Sequence, residues 1–129
     1  MVDRRKFIVW LSALSLSPFL SKASYAKQQG NKPMYGLIGK MLCVEGKRDE
    51  LASILVKGIA GMPGCLSYIV ANDNIDPNAL WITEVWLTQT DHKSSLALPS
   101  VQEAIKQGRP FITGFGERFE TTPIGGQGL

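Results

Sequence analysis

Soft metal ligands are scarce in this 129-residue chain, which has one histidine, His92, and two cysteines, Cys43 and Cys65. A structural zinc or iron–sulfur centre draws on several such donors, so this class of site is disfavoured. Two cysteines are also too few for a disulfide-stapled scaffold. No apolar run reaches the roughly 20 residues of a membrane span. The sequence has no internal repeat, no low-complexity run and no Ser-His-Asp arrangement. Gly114-x-Gly116 precedes no helical pattern and lacks the context of a nucleotide-binding loop. Positive charge is missing where a nucleic-acid binder would need it. The formal charge of +3 belongs to the N-terminus, because residues 27–129 hold ten basic and ten acidic side chains. A neutral domain is a poor match for a phosphate backbone. What is present, 44% apolar and 19% charged residues, fits one globular domain with a core and leaves no room for a second.

Residues 1–26 read as an export signal. Arg4, Arg5 and Lys6 form a positive start, and Phe7 to Leu20 is a short apolar stretch. Ser24 and Ala26 place small residues before a cleavage site after Ala26. The run Asp3-Arg4-Arg5-Lys6-Phe7-Ile8 resembles a twin-arginine signal. It predicts a precursor handled by the twin-arginine export machinery and a mature protein in the periplasm. That route carries folded proteins, so Cys43 and Cys65 need not pair. The fold below puts them on non-adjacent strands, and no intramolecular bridge is expected.

The mature chain begins with a polar linker, residues 27–33. Met34 to Val44 reads as a strand with apolar residues on both faces, hence a central one. From Lys47 to Met62, Leu51, Ile54, Leu55, Ile59 and Met62 form one helical stripe, stopped by Pro63-Gly64. Cys65–Asn72 and Ala79–Leu87 read as strands joined by a hairpin connection rich in Asn, Asp and Pro. Thr88 or Thr90 caps a second helix, which Pro99 interrupts before Val101–Gln107 continues it. Ile112–Thr122 is the last strand, with Phe115, Glu117 and Phe119 on one face, and residues 123–129 form a loose tail. The order strand, helix, strand, strand, helix, strand is the split βαβ pattern of an α+β, ferredoxin-like domain over residues 34–122. Its helix-free sheet face carries Trp81, Val85 and Leu87, and packing on a second copy would cover it.

The stretch Met62-Pro63-Gly64-Cys65-Leu66-Ser67-Tyr68, then Asp76-Pro77, then Trp81-Ile82-Thr83-Glu84-Val85-Trp86 resembles the antibiotic biosynthesis monooxygenase domain, and within it the quinol monooxygenase-like proteins. The resemblance implies a dimeric α+β barrel with a pocket between each sheet and its own helices. It implies oxygen transfer from dioxygen to electron-rich aromatics such as quinols and anthrones, with no metal or flavin. Some relatives degrade haem with an Asn on the first strand; Tyr35–Cys43 contains none, which disfavours that activity here. Many quinol-type relatives carry a His nine residues after the strand-end Trp. Here Ser95 holds that place, and His92 stands six residues after Trp86.

The candidate site residues follow. Trp86 is read as a wall on which a flat substrate stacks, or as a core tryptophan. Glu84 shares a face with Leu80, Ile82 and Trp86, which suits a base of raised pKa; the alternative is a structural partner of Arg109 or Arg118. His92 is a base or a surface residue. Tyr68 hydrogen-bonds a quinol oxygen or is a core residue with its hydroxyl at the rim, Ser95 is placed at the substrate, and Arg109 either holds an oxyanion or closes a helix C-terminus. Two functions fit: a cofactor-independent monooxygenase of quinol-like substrates, or a non-enzymatic binder of small aromatics on the same dimeric scaffold.

Overall fold

The computed structural model describes residues 32–129. The expected export segment and most of the linker lie outside the described residues. Seven main elements follow in order: β1 (Tyr35–Cys43), α1 (Arg48–Gly58), β2 (Cys65–Asn72), β3 (Ala79–Trp86), α2 (Gln89–Ser95), α3 (Pro99–Gly108) and β4 (Ile112–Thr121), with a 3-10 turn at Arg109–Phe111 before β4. The strands form one antiparallel sheet in the order β2-β3-β1-β4, the ferredoxin-like arrangement. β1 is central, and Cys43 and Cys65 are free thiols on strands separated by β3.

Alternation along β3 separates the two sheet faces. Leu80, Ile82, Glu84 and Trp86 are buried beneath the helices, while Trp81, Thr83 and Val85 on the other face are half-buried. Leu51 from α1 is fully buried with Leu80, Ile82 and Cys43. Truncating a side chain so enclosed costs about 2–5 kcal/mol. A second cluster joins Tyr35, Leu37, Met62 and Trp86. The two clusters meet through Tyr68, which packs on both.

Three local features differ from the sequence expectation. First, α1 ends at Gly58, not Met62. Ile59 and Met62 still reach the core, but from a turn that Gly61 closes at φ +73°. An L-residue seldom adopts that conformation. Second, the interrupted helix is two helices. Thr88 accepts the Asp91 N–H at 3.1 Å to cap α2, and Pro99 opens α3, where its missing N–H costs nothing. Third, Phe115 and Phe119 lie on opposite faces. Phe115 pairs with Met41 on the helix side and Phe119 with Ile38 on the far side, because the register slips between Gly39 and Met41. Such a bulge inverts the alternation beyond it.

Two glycines permit the helices to approach. A Cβ at Gly58 would run into the Cβ of Ala104, so α1 and α3 touch backbone to side chain there. Gly64, at φ +80°, lies against the Asp91 side chain and sets the start of β2 against α2. Its carbonyl accepts the Leu87 N–H at 2.9 Å, which fixes the exit from β3. The hairpin between β2 and β3 is organised by Asp73. Its carboxylate accepts the N–H groups of Ile75 and Asp76 and, at 2.7 Å, the indole N–H of Trp81. These bonds hold the Asp73 carboxyl down at about 2. Arg48 clamps the same turn by donating to the carbonyls of Asp73 and Asp76 at 3.0 and 2.9 Å.

Candidate active site

Between the helix-side face of the sheet and the three helices lies a cavity of about 170 Å³. Its sheet wall is Met41, Tyr68, Glu84 and Trp86; α1, α2 and α3 close it with Leu55, His92 and Val101 among others. The site is a product of the alternation in β3. Glu84 and Trp86 are two residues apart, so both point under the helices, and the exit at Leu87 lets α2 fold back over them.

Glu84 is 8% exposed and Trp86 1%. The Trp86 indole N–H donates to Glu84 Oε1 at 3.0 Å. The same oxygen lies 3.8 Å from His92 Nε2, an ion-pair distance beyond hydrogen-bond length. The His92 ring sits between two aromatics, its centroid 5.3 Å from that of Tyr35 and 5.5 Å from that of Trp86. Burial raises the Glu84 pKa, against the opposing pulls of the Trp86 hydrogen bond and the Arg118 charge. Burial lowers the His92 pKa, helped by Arg118 and opposed by Glu120. The ordinary values of a carboxyl and an imidazole thus move towards each other. Shifts in these directions lower the free-energy difference for passing a proton between the two groups, which suits an acid–base pair. Burial, with the Glu84 charge, also pushes the Tyr68 hydroxyl well above its ordinary value, so it serves as a neutral hydrogen-bond donor.

Five of the six site residues expected from the sequence line this cavity: Glu84, Trp86, His92, Tyr68 and Ser95. Ser95 is buried, and its hydroxyl donates to the His92 carbonyl at 2.6 Å. It therefore closes the turn that carries His92. Arg109 is not brought to the site. It is exposed in the 3-10 turn, where its N–H caps α3 by donating to the Ile105 carbonyl, so the helix-closing reading is the one its position fits. Glu84 is partnered by Trp86 and His92, and not by Arg109.

Tyr35, missed in the sequence reading, and Arg118, named there as a partner of Glu84, stand at the edge of the site. Tyr35 faces His92 and donates its hydroxyl to Glu120 Oε2 at 2.8 Å. Arg118, 3.4 Å from Glu120 Oε1, acts on both Glu84 and His92 through its charge. Tyr35 is the register partner of Trp86 across β1 and β3. Strand alternation put it on the core face, but pairing register is needed to bring it to His92. Arg118 pairs with Gly39 beside the β4 bulge, which sets it on the helix side of the sheet.

The fold and this enclosed, aromatic-walled cavity with a carboxyl–imidazole pair define a small α+β domain built to receive a small molecule. Residues 34–107 match the antibiotic biosynthesis monooxygenase family, and the chain belongs to that family. No match is found among curated proteins. Among solved structures, a candidate antibiotic biosynthesis monooxygenase from Chloroflexus aurantiacus J-10-fl is 60% identical, with a TM-score of 0.71 over 73% of this chain and 96% of that one. SnoaB from Streptomyces nogalater, described as a cofactor-independent oxygenase, shares the fold at 16% identity and a TM-score of 0.61, over 74% of this chain and 97% of that one. A candidate family member from Caulobacter crescentus CB15 has a TM-score of 0.65 at 16% identity, over 73% and 92% of the two chains.

Proposed function

We propose that this monooxygenase-family protein oxidises quinol-like or other electron-rich aromatic substrates with dioxygen and without a cofactor. The observation that carries the reading is the Glu84–His92 pair set against the Trp86 ring in a largely apolar cavity. The name of the fold relative SnoaB as a cofactor-independent oxygenase supports the same chemistry.

His92 takes the phenolic proton, and the Glu84 carboxylate beside it favours the imidazolium that forms. Tyr68 donates to the substrate's other oxygen. The anion passes one electron to dioxygen, and the resulting pair joins at a ring carbon. The O–O bond then breaks, one oxygen stays on the ring and the other leaves as water. A quinol and dioxygen give a hydroxyquinone and one water, so atoms and electrons balance. The substrate supplies both electrons that an external reductant would otherwise provide. The protein contributes a dry site, a base and a flat wall.

The protein acts as a homodimer in the periplasm, exported by the twin-arginine machinery and cleaved after Ala26. The helix-free sheet face supports the dimer. Ile69, Thr83, Ile38 and Phe119 are successive register partners across all four strands, and Ile69 and Phe119 are each 54% exposed. Trp81 is a polar corner of that face, its indole N–H bonded to Asp73 and Lys40 lying 5.8 Å from its ring. N-terminal sequencing of the exported protein should begin at Lys27, and replacing Arg4 and Arg5 with Lys should strand the precursor in the cytoplasm. Oxygen uptake by the mature, metal-free protein with benzoquinols, naphthoquinols and anthrones, each against a protein-free control, tests the activity. Uptake at the control rate throughout, with quinones still bound, would make the protein a binder and not an enzyme.

A further inference from the structure

The second cavity, of about 200 Å³, lies on the same sheet face beyond the first, between β1 and the open side of β4. Both cavities are walled by Met41, Tyr68 and Glu84, so they adjoin at the acid–base pair. Leu37, Ile82 and Phe115 give the second one an apolar wall, with Lys40, Glu117 and Arg118 completing its lining, and Phe115 is 71% exposed. Its floor is Gly39, in the middle of the central strand β1. Glycine weakens a strand interior and often marks a close approach by something else. Gly39 borders the β4 bulge, but the extra residue of that bulge is on β4, and Gly39 itself is not among the residues of positive φ. No neighbour demands it either, because a Cβ built on Gly39 meets nothing within 4 Å. Its register partners, Ile82 and Arg118, place that open space on the helix side, over the second cavity.

We propose that Gly39 is a specificity-determining residue, keeping open a lobe that receives an apolar arm on the aromatic substrate. The inference rests on the proposed active site, and it adds the shape of the substrate: a ring in the helix-covered cavity, and an alkyl arm running past Tyr68 and Glu84 to Phe115. A side chain at position 39 would fill the space the arm needs while leaving the ring's contacts with Trp86 and His92 in place.

The test compares 1,4-naphthoquinone with 2-hexyl-1,4-naphthoquinone, the oxidised forms being stable to air. Binding is read from quenching of tryptophan fluorescence. The wild type should bind the hexyl compound about tenfold tighter or more, since each methylene leaves water. Gly39→Val should abolish or invert that ratio, the arm-free quinone being the internal reference. Gly39→Ala adds a single carbon to open space and should give an intermediate ratio, which keeps the test decisive should valine impair folding. Equal wild-type affinities, or a hexyl preference that survives both substitutions, would overturn the lobe and leave the active-site reading standing. Failure of the wild type to bind either quinone would overturn both together.

Discussion

Replacing Glu84 with Gln should flatten one limb of the protein's stability against pH. The carboxyl is 8% exposed and its pKa is raised by burial. In the unfolded chain it ionises near its ordinary value, about 4.5. Below that pH both states are protonated and the group costs nothing. Between that pH and its raised folded value, the unfolded state releases the proton while the folded state keeps it. Stability therefore falls as pH rises through this window, with a slope of at most about 1.4 kcal/mol per pH unit for one proton. In a domain of this size each kcal/mol moves Tm by about 4–8 °C. Gln has the same shape, keeps an oxygen to accept the Trp86 N–H and has nothing to ionise. Tm measured by circular dichroism from pH 4 to 8 should show the variant gaining on the wild type from about pH 4.5 upward, then holding a constant lead. His92 contributes the opposite slope in both proteins. Its folded pKa is lowered, so stability falls as pH drops from about 6.5 towards that lowered value. Parallel Tm profiles for the two proteins would refute the argument that Glu84 is desolvated.

The other predictions concern the base, the interface and a backbone constraint. His92→Ala should lower the oxidation rate by about 10²–10⁴ with little change in quinone affinity, and the wild-type rate should rise with pH through a value below the imidazole's ordinary 6.5; full activity in the variant would move the base role elsewhere. Val85→Lys puts an unpaired charge on the helix-free sheet face and should give monomers by light scattering, whereas an unaltered dimer would place the interface on another surface. Gly64→Ala forces a side chain into a left-handed backbone at φ +80° and against Asp91, and should cost about 1–2 kcal/mol or more; an unchanged Tm would show that this contact yields freely.

Much of the architecture was legible because period and punctuation agree along most of the chain. The alternation in Ala79–Trp86 put Glu84 and Trp86 on one face without any knowledge of their neighbours. The helix stripe ran past its true end because Ile59 and Met62 keep the same spacing from a turn, and spacing alone does not report the backbone at Gly61. The β4 bulge was invisible for a related reason. Ile112–Thr121 alternates plausibly in either register, and only pairing with β1 separates Phe115 from Phe119 and turns Arg118 towards the site. Tyr35 needed long-range register too, since its partner Trp86 stands 51 positions further along the chain; its meeting with His92 is a property of the paired sheet and not of either segment. Of the two readings of Arg109, oxyanion holder and helix closer, its place at the end of α3 fits the second.

The central claim is that the cavity at Glu84, Trp86 and His92 transfers one atom of dioxygen to an aromatic ring. Mass spectrometry of the product formed by the mature protein from 1,4-naphthohydroquinone under ¹⁸O-labelled dioxygen tests it most directly. The account predicts a hydroxynaphthoquinone carrying a single labelled oxygen, formed faster than in the protein-free control and lost in His92→Ala. A product whose new oxygen comes from water, or one formed at the control rate, would contradict it.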